Sequence, residues 1–187
     1  MKIVRLLLLV TWFLPATAQT ERTVPIRMLQ NDSVALPLNN QWQLIEDDCS
    51  SMTRYGHLNV QKKTFWGPFH DVSKINPAII LAEGTYSKEG LLEGALVIRN
   101  IDGDLMVEGN YHEGKAIGSW LLYSNGGQKC LEYQVSPNGW RVKSAWDANG
   151  KLSAQDGNGV FRSEMSGQIW EGKIENGALV THIGGRG

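Results

Sequence analysis

The chain has 187 residues, of which 42% are hydrophobic and 20% charged, and its formal net charge is −1. Because acidic and basic residues are interspersed, the sequence excludes a basic surface of the kind that binds nucleic acid or anionic lipid. Its length suits one continuous domain with one good-sized core or two small ones.

Residues 1–18 are typical of a secretory signal peptide. Lys2 and Arg5 precede the apolar run 6–14, and the small residues 16–18 follow Pro15. A run of about nine apolar residues is too short to span a bilayer, which takes about 20. We therefore expect an exported protein, periplasmic or secreted, without integral membrane contact. Cleavage before Gln19 would leave 169 residues with 16 basic and 19 acidic side chains, a net charge of −3.

Residues 19–56 contain no internal repeat. Asparagine, aspartate and proline divide them into short pieces with apolar anchors such as Leu36, Trp42 and Ile45. Because the open end of a repeat array needs shielding, we interpret this segment as an N-terminal cap.

Residues 57–180 repeat a short strand signature. A Glu-Gly-x-Tyr sequence begins at Glu83 and again at Glu108, 25 residues later, and a degenerate copy at Glu132 follows after 24 more. A further weak copy begins at Glu171. Interleaved with them are glycines followed two residues later by a large apolar residue: Gly67, Gly94, Gly118 and Gly159. The pattern predicts an all-β domain of successive β-hairpins.

Glycines have two expected roles in this array. The dipeptides Asp102-Gly103, Asn125-Gly126, Asn149-Gly150 and Ser166-Gly167 predict tight turns. Gly84, Gly109 and Gly172 lie within predicted strands, where glycine is unfavourable unless it makes room for a neighbour. We expect each of these three to accommodate an aromatic ring of an adjacent repeat.

Two segments depart from the repeat. Residues 137–158 interrupt the period and predict a shortened or bulged hairpin, with a strand over 141–146. Residues 181–187 are assigned to a flexible tail.

The unit from Glu108 to Gly126, with Gly114-Lys115, Gly118-Ser119-Trp120 and Tyr123, resembles the antitoxin-like variant of the MORN repeat. The resemblance covers about residues 66–177 and implies a single elongated, curved antiparallel sheet of hairpins. It does not imply one function, since a fold hosts many. The signal peptide argues against neutralising a cytoplasmic toxin.

The candidate binding residues come from the repeat. Glu83, Glu108, Glu132 and Glu171 occupy equivalent positions and could form an acidic stripe for a cationic ligand. The alternative is a set of solvated carboxylates, each compensated by a neighbour. The aromatic candidates are Trp120 and Tyr123, since large rigid side chains anchor interfaces. The alternative is that they are core residues, because a thin one-layer sheet must bury its aromatic side chains.

No cofactor or metal is expected. The four histidines lack the spacing of zinc ligands, and residues 100–104 suit a hairpin turn better than a calcium loop. Cys49 and Cys130 allow one disulfide in an oxidising compartment. Two separate thiols, with Cys130 in strand packing, are the equally weighted alternative.

The sequence thus favours a non-enzymatic exported binding or scaffold protein that presents a β-repeat surface to a protein or peptide partner. The alternative is a hydrolase or inhibitor domain with a site between the N-terminal segment and the first hairpins, formed by Asp47, Asp48, His57 and His70. Peripheral membrane association is a third possibility, which the near-neutral charge disfavours.

Overall fold

The computed structural model describes residues 26–165 and 168–185, so the predicted signal peptide and the predicted turn at Ser166-Gly167 lie outside the described residues. The described part is all-β, with 14 strands and one 3₁₀ turn, Asp47–Cys49. The strands are β1 (Arg27–Met28), β2 (Ser33–Leu38), β3 (Met52–Asn59), β4 (Thr64–Ser73), β5 (Ile80–Tyr86), β6 (Gly94–Arg99), β7 (Leu105–His112), β8 (Lys115–Tyr123), β9 (Lys129–Ser136), β10 (Gly139–Trp146), β11 (Leu152–Gln155), β12 (Asn158–Met165), β13 (Gln168–Glu175) and β14 (Ala178–Gly185).

All 14 strands form one open antiparallel sheet in sequence order, so every strand pairs with its neighbours along the chain. Most connections are short turns, which place consecutive strands side by side. The predicted all-β architecture of successive hairpins is confirmed. Within the described residues no helix is long and apolar enough to cross a membrane.

Four hairpin turns share one hydrogen-bond pattern. They start at Ser87, Asn100, Ser124 and Asp147. In each turn, the backbone carbonyl of the first residue accepts a hydrogen bond from the N–H of the fourth, and its N–H donates one to the carbonyl of the fifth. The fourth residue is glycine in each turn and has a positive φ, between +73° and +92°. Glycine adopts this left-handed conformation without a steric cost. The predicted turns at Asp102-Gly103, Asn125-Gly126 and Asn149-Gly150 are confirmed.

The strand glycines do make room for rings. A Cβ on Gly84 would lie 2.9 Å from the Phe69 ring, and one on Gly109 only 2.2 Å from the Trp120 ring. Gly172 lies opposite Phe161 in the register of β12 and β13. The packing role predicted for Gly84 and Gly109 is therefore confirmed, except that the Trp120 ring belongs to the same unit as Gly109 and not to an adjacent one.

Two clusters of buried side chains lie in the N-terminal and C-terminal parts of the sheet. The N-terminal cluster consists of Val34, Leu36, Leu38, Met52 and Leu81. The C-terminal cluster consists of Cys130, Val142, Ala145, Ala154, Phe161 and Ile174.

The region 137–158 forms the long strand β10 and the short strand β11, and β10 has register shifts on both sides. The turns at Gly157 and Gly177 lie against β10, because the Gly177 carbonyl accepts a bond from the Val142 N–H and the Lys143 carbonyl accepts one from Gly157. The expected shortened, bulged hairpin is confirmed.

The sheet extends beyond the predicted repeat boundaries. β1 and β2 belong to the same sheet as the repeats, and the boundary after residue 56 falls inside β3. At the other end, β14 continues to Gly185 and pairs with β13. The segment assigned to a flexible tail is thus a strand as far as residue 185.

Candidate functional site

An apolar groove of about 490 Å³ lies at the N-terminal end of the sheet. We call it the N-terminal groove. Its floor is formed by the buried side chains of Leu36 and Leu38 in β2 and by the partly buried side chains of Leu58 in β3 and Phe65 in β4. Its walls are large apolar side chains that are 43–60% exposed: Ile26, Trp42, Leu44 and Val60. Two cationic residues, Arg54 and Lys63, complete the lining.

Trp42 lies in a turn of the same type as the four glycine-containing hairpin turns. The turn begins at Asn39, whose backbone bonds to Trp42 and Gln43 repeat the shared pattern. Trp42 occupies the fourth position, with φ +56°. A bulky residue in this conformation is a steric outlier and costs about 1–3 kcal/mol. Strain of this kind persists where the surrounding structure holds the residue in place.

A buried ion pair holds Trp42 over the groove. Asp71 in β4 is fully buried, and its two oxygens accept bonds of 2.7 and 2.8 Å from the Arg54 guanidinium. The Trp42 indole N–H donates to the same carboxylate at 2.9 Å. Arg54 also donates to the Tyr86 hydroxyl at 2.9 Å, and its guanidinium lies 4.3 Å from the centre of the Phe69 ring. The network fixes one wall of the groove against the sheet.

The charges of this network cancel. Burial lowers the pKa of the Arg54 guanidinium, but the hydrogen bonds and charge of Asp71 outweigh that effect and the pKa is raised. Burial also raises the pKa of Tyr86. Lys63, at φ +56°, has no hydrogen bond or ion pair among the described residues. The groove therefore carries one uncompensated positive charge, at Lys63.

The repeated glutamates line up only in part. The register places Glu83, Val97, Glu108, Leu121 and Glu132 in one row across β5 to β9. Alternate strands are about 9.5 Å apart, which is too far for one small cation to bridge. Glu171 lies opposite Arg162, outside this row.

Each repeated glutamate also has a partner within the chain. Glu83 pairs with Arg99 at 2.7 Å, and Glu171 with Arg162 at 3.6 Å. Glu132 accepts bonds from Ser119 and Lys143, which lower its pKa against the effect of burial. These contacts match the alternative in which each carboxylate is compensated by a neighbouring side chain. They do not match a stripe of carboxylates left without partners for a cationic ligand.

Trp120 and Tyr123 are packing residues in this fold. Trp120 is 5% exposed and lies between Tyr111 and Tyr133, with ring centres 5.3 and 6.1 Å away. Tyr123 is 6% exposed and donates a 2.7 Å bond to Glu108. Neither side chain has enough free surface to anchor a partner.

The hydrogen bond between Tyr123 and Glu108 predicts that the free energy of unfolding decreases at alkaline pH. Burial, and then the Glu108 carboxylate, raise the pKa of Tyr123 from 10.0 to about 12. Unfolded Tyr123 therefore loses its proton first, so stability is retained below pH 10 and falls as pH rises toward 12. We expect Tyr123→Phe to reduce this fall by up to about 1 kcal/mol per pH unit. Denaturant unfolding of the wild type and of Tyr123→Phe at several alkaline pH values measures this difference. The same dependence of the free energy of unfolding on pH in both proteins would contradict the prediction.

The possible disulfide between Cys49 and Cys130 does not form. Cys49 is exposed in the 3₁₀ turn before β3, whereas Cys130 is buried in β9. Six strand spacings separate β3 from β9, roughly 28 Å, and a disulfide requires Cα atoms within about 7 Å. Burial raises the pKa of the Cys130 thiol. The alternative of two separate thiols is correct.

The residues of the alternative hydrolytic site do not converge. Asp47 and Asp48 precede the start of β3, and Asp47 pairs with Lys74 at 2.6 Å. His57 lies five residues into β3, roughly 16 Å further along, where it stacks on Trp66 with ring centres 4.7 Å apart. His70 stacks on Tyr55 instead. The described residues contain no group of three or more potential metal ligands.

Sequence reasoning misses most of the N-terminal groove. It predicts Trp42 only as an apolar anchor of the cap, and Arg54, Lys63 and Asp71 lie outside the repeat signature. The one local signal is the turn chemistry, since Asn39 starts a loop that lacks glycine at its fourth position.

Comparison of the chain with protein-family models and with curated proteins finds no match. The resemblance to the MORN repeat therefore stays a prediction.

Proposed function

We propose that this chain is a non-enzymatic, exported binding protein that presents its β-repeat sheet to a protein or peptide partner and anchors that partner in the N-terminal groove. The observation that carries the proposal is the groove itself, which combines a buried apolar floor with exposed apolar walls. A cavity of 300–1,000 Å³ with apolar walls and few polar groups is typical of binding sites.

Two further observations support recognition at the groove. Its large exposed apolar side chains line one cavity, and grouped exposed apolar surface marks interaction sites more often than scattered residues do. Trp42 is a rigid aromatic of the kind that dominates binding energy, and the Asp71 bond orients it in advance. Export is supported by the N-terminal pattern of residues 1–18.

The test is selection of binding peptides from a random-peptide phage library on the purified protein, followed by calorimetric titration. Val60 is 60% exposed in the groove wall, so Val60→Asp should block the groove without unfolding the protein. The matched control is Ile75→Asp, because Ile75 is 82% exposed in the loop between β4 and β5.

We expect selected peptides to bind the wild type and Ile75→Asp equally, and Val60→Asp about tenfold more weakly or worse. Failure to select any peptide, or equal binding to Val60→Asp, would remove the groove as the anchor site.

A further inference from the structure

We infer that the N-terminal groove binds the apolar C-terminal end of a peptide chain, with the ammonium group of Lys63 contacting the terminal carboxylate. This inference rests on the proposed function and names the chemistry of the partner.

The charges around the groove favour an anionic ligand. Asp71 contacts the groove residues Trp42 and Arg54, and Arg54 already neutralises it through two hydrogen bonds. Among the described residues, no acidic side chain lines the groove and the Lys63 side chain has no ion pair. A single uncompensated cation beside apolar walls is complementary to a ligand with an apolar body and one negative charge. The terminal carboxylate of an apolar peptide has this composition.

The groove has two distinct ends along the sheet. It follows β2 and β3, with Leu38 opposite Met52 near one end and Leu58 near the other. The distance along β3 from Met52 to Leu58 is six residue steps, roughly 20 Å, which is the length of about six extended residues. Val60 and Lys63, in the turn that joins β3 to β4, line the second end. A chain that terminates at this turn places its carboxylate at Lys63.

The groove can also accommodate a peptide backbone. An apolar groove offers few partners for amide groups, and a buried amide without a partner is costly. The groove is partly open to solvent. An extended peptide can therefore place alternate side chains on Leu36, Leu58 and Phe65 while water satisfies its backbone.

Two residues that line the groove have an unusual backbone conformation. Trp42 and Lys63 both have φ +56°, a conformation that non-glycine residues seldom adopt. They lie in different turns, and both side chains line the same groove. Residues held in such conformations cluster at ligand-binding positions, where the surrounding structure fixes them before the ligand arrives.

The test uses the fluorescein-labelled peptide Ser-Leu-Ser-Leu-Ser-Leu in two forms, with a free C-terminal carboxylate and with a C-terminal amide. Fluorescence anisotropy measures binding of each form to the purified protein. Lys63→Asn removes the charge and keeps a side chain that tolerates the left-handed conformation. Lys62→Asn is the matched control, because Lys62 is adjacent in the same turn but does not line the groove.

We expect the wild type and Lys62→Asn to bind the carboxylate form about tenfold more tightly than the amide. Lys63→Asn should bind both forms equally, and added salt should weaken only the carboxylate form. Equal binding of the two forms by the wild type, or an unchanged ratio in Lys63→Asn, would overturn the inference.

The remaining outcomes separate this inference from the proposed function. If library-selected peptides bind in the groove but the carboxylate form has no advantage, the inference fails and the proposed function stands. If no peptide binds and the chain does not self-associate through the groove, both fail. Dodecanoate binding without peptide binding would identify an aliphatic acid as the occupant and overturn both. Self-association that Val60→Asp abolishes, without peptide binding, would identify a second copy of the chain and overturn the inference.

Discussion

Replacing Gly109 with alanine is expected to destabilise the fold by about 3 kcal/mol, near the upper end of typical overpacking costs. The added Cβ would lie 2.2–2.5 Å from three atoms of the Trp120 ring, far inside contact distance. Relief requires either rotation of a side chain that is 5% exposed or separation of β7 from β8. Chemical denaturation, with near-ultraviolet circular dichroism as a report on ring packing, measures the effect.

Two further substitutions, Gly84→Ala and Trp120→Leu, provide the controls for Gly109→Ala. A Cβ on Gly84 would lie 2.9 Å from the far edge of the Phe69 ring, so Gly84→Ala should cost less than Gly109→Ala. Trp120→Leu should restore part of the stability lost in Gly109→Ala, because the smaller side chain leaves room for the methyl group. A purely additive double variant would show that the clash is not the cause.

Replacing Asp71 with asparagine is expected to lower the free energy of unfolding by about 3–5 kcal/mol, the usual cost of leaving a buried charge without its partner. Asp71 is fully buried and accepts three hydrogen bonds, from Arg54 twice and from Trp42 once. Asparagine removes the charge and presents N–H groups to donors. Urea unfolding of the wild type and the variant checks this prediction.

The control for Asp71→Asn is an exposed ion pair in the same sheet. Glu83 pairs with Arg99 at the same distance, 2.7 Å, but the Glu83 side chain is 42% exposed. Glu83→Gln should therefore cost no more than about 1 kcal/mol. The double variant Arg54→Met with Asp71→Leu should recover much of the loss, since apolar pairs often replace buried ion pairs without cost. Equal losses in Asp71→Asn and Glu83→Gln would contradict the buried-charge argument.

The two variants also have different consequences for the groove. Gly109 and Trp120 lie in the central repeats, so their substitution should affect stability and leave peptide binding by the folded fraction unchanged. Asp71→Asn releases the Trp42 indole as well, so it should weaken peptide binding in addition to stability.

The repeating architecture could be predicted from the sequence alone. Hairpin turns are specified locally by residues such as Asp102-Gly103 and Asn149-Gly150, and the period of the strand signature gives the order of the sheet. The packing role of Gly109 also follows from sequence, because glycine weakens a strand unless a neighbouring group needs the space that a side chain would fill. These features depend on neighbours within one repeat, so a local pattern is sufficient to predict them.

Which side chains meet across the sheet could not be predicted from the sequence and is visible only in the fold. Asp71 and Arg54 become partners through the register of β3 and β4, and Trp42 reaches them from a turn 29 residues before Asp71. Six intervening strand spacings likewise keep Cys49 away from Cys130, although the sequence alone allowed them to pair. The residue register between strands decides which side chains meet, and the local repeat pattern carries no signal for that register. The repeat was therefore predictable, whereas the groove at its N-terminal end was not.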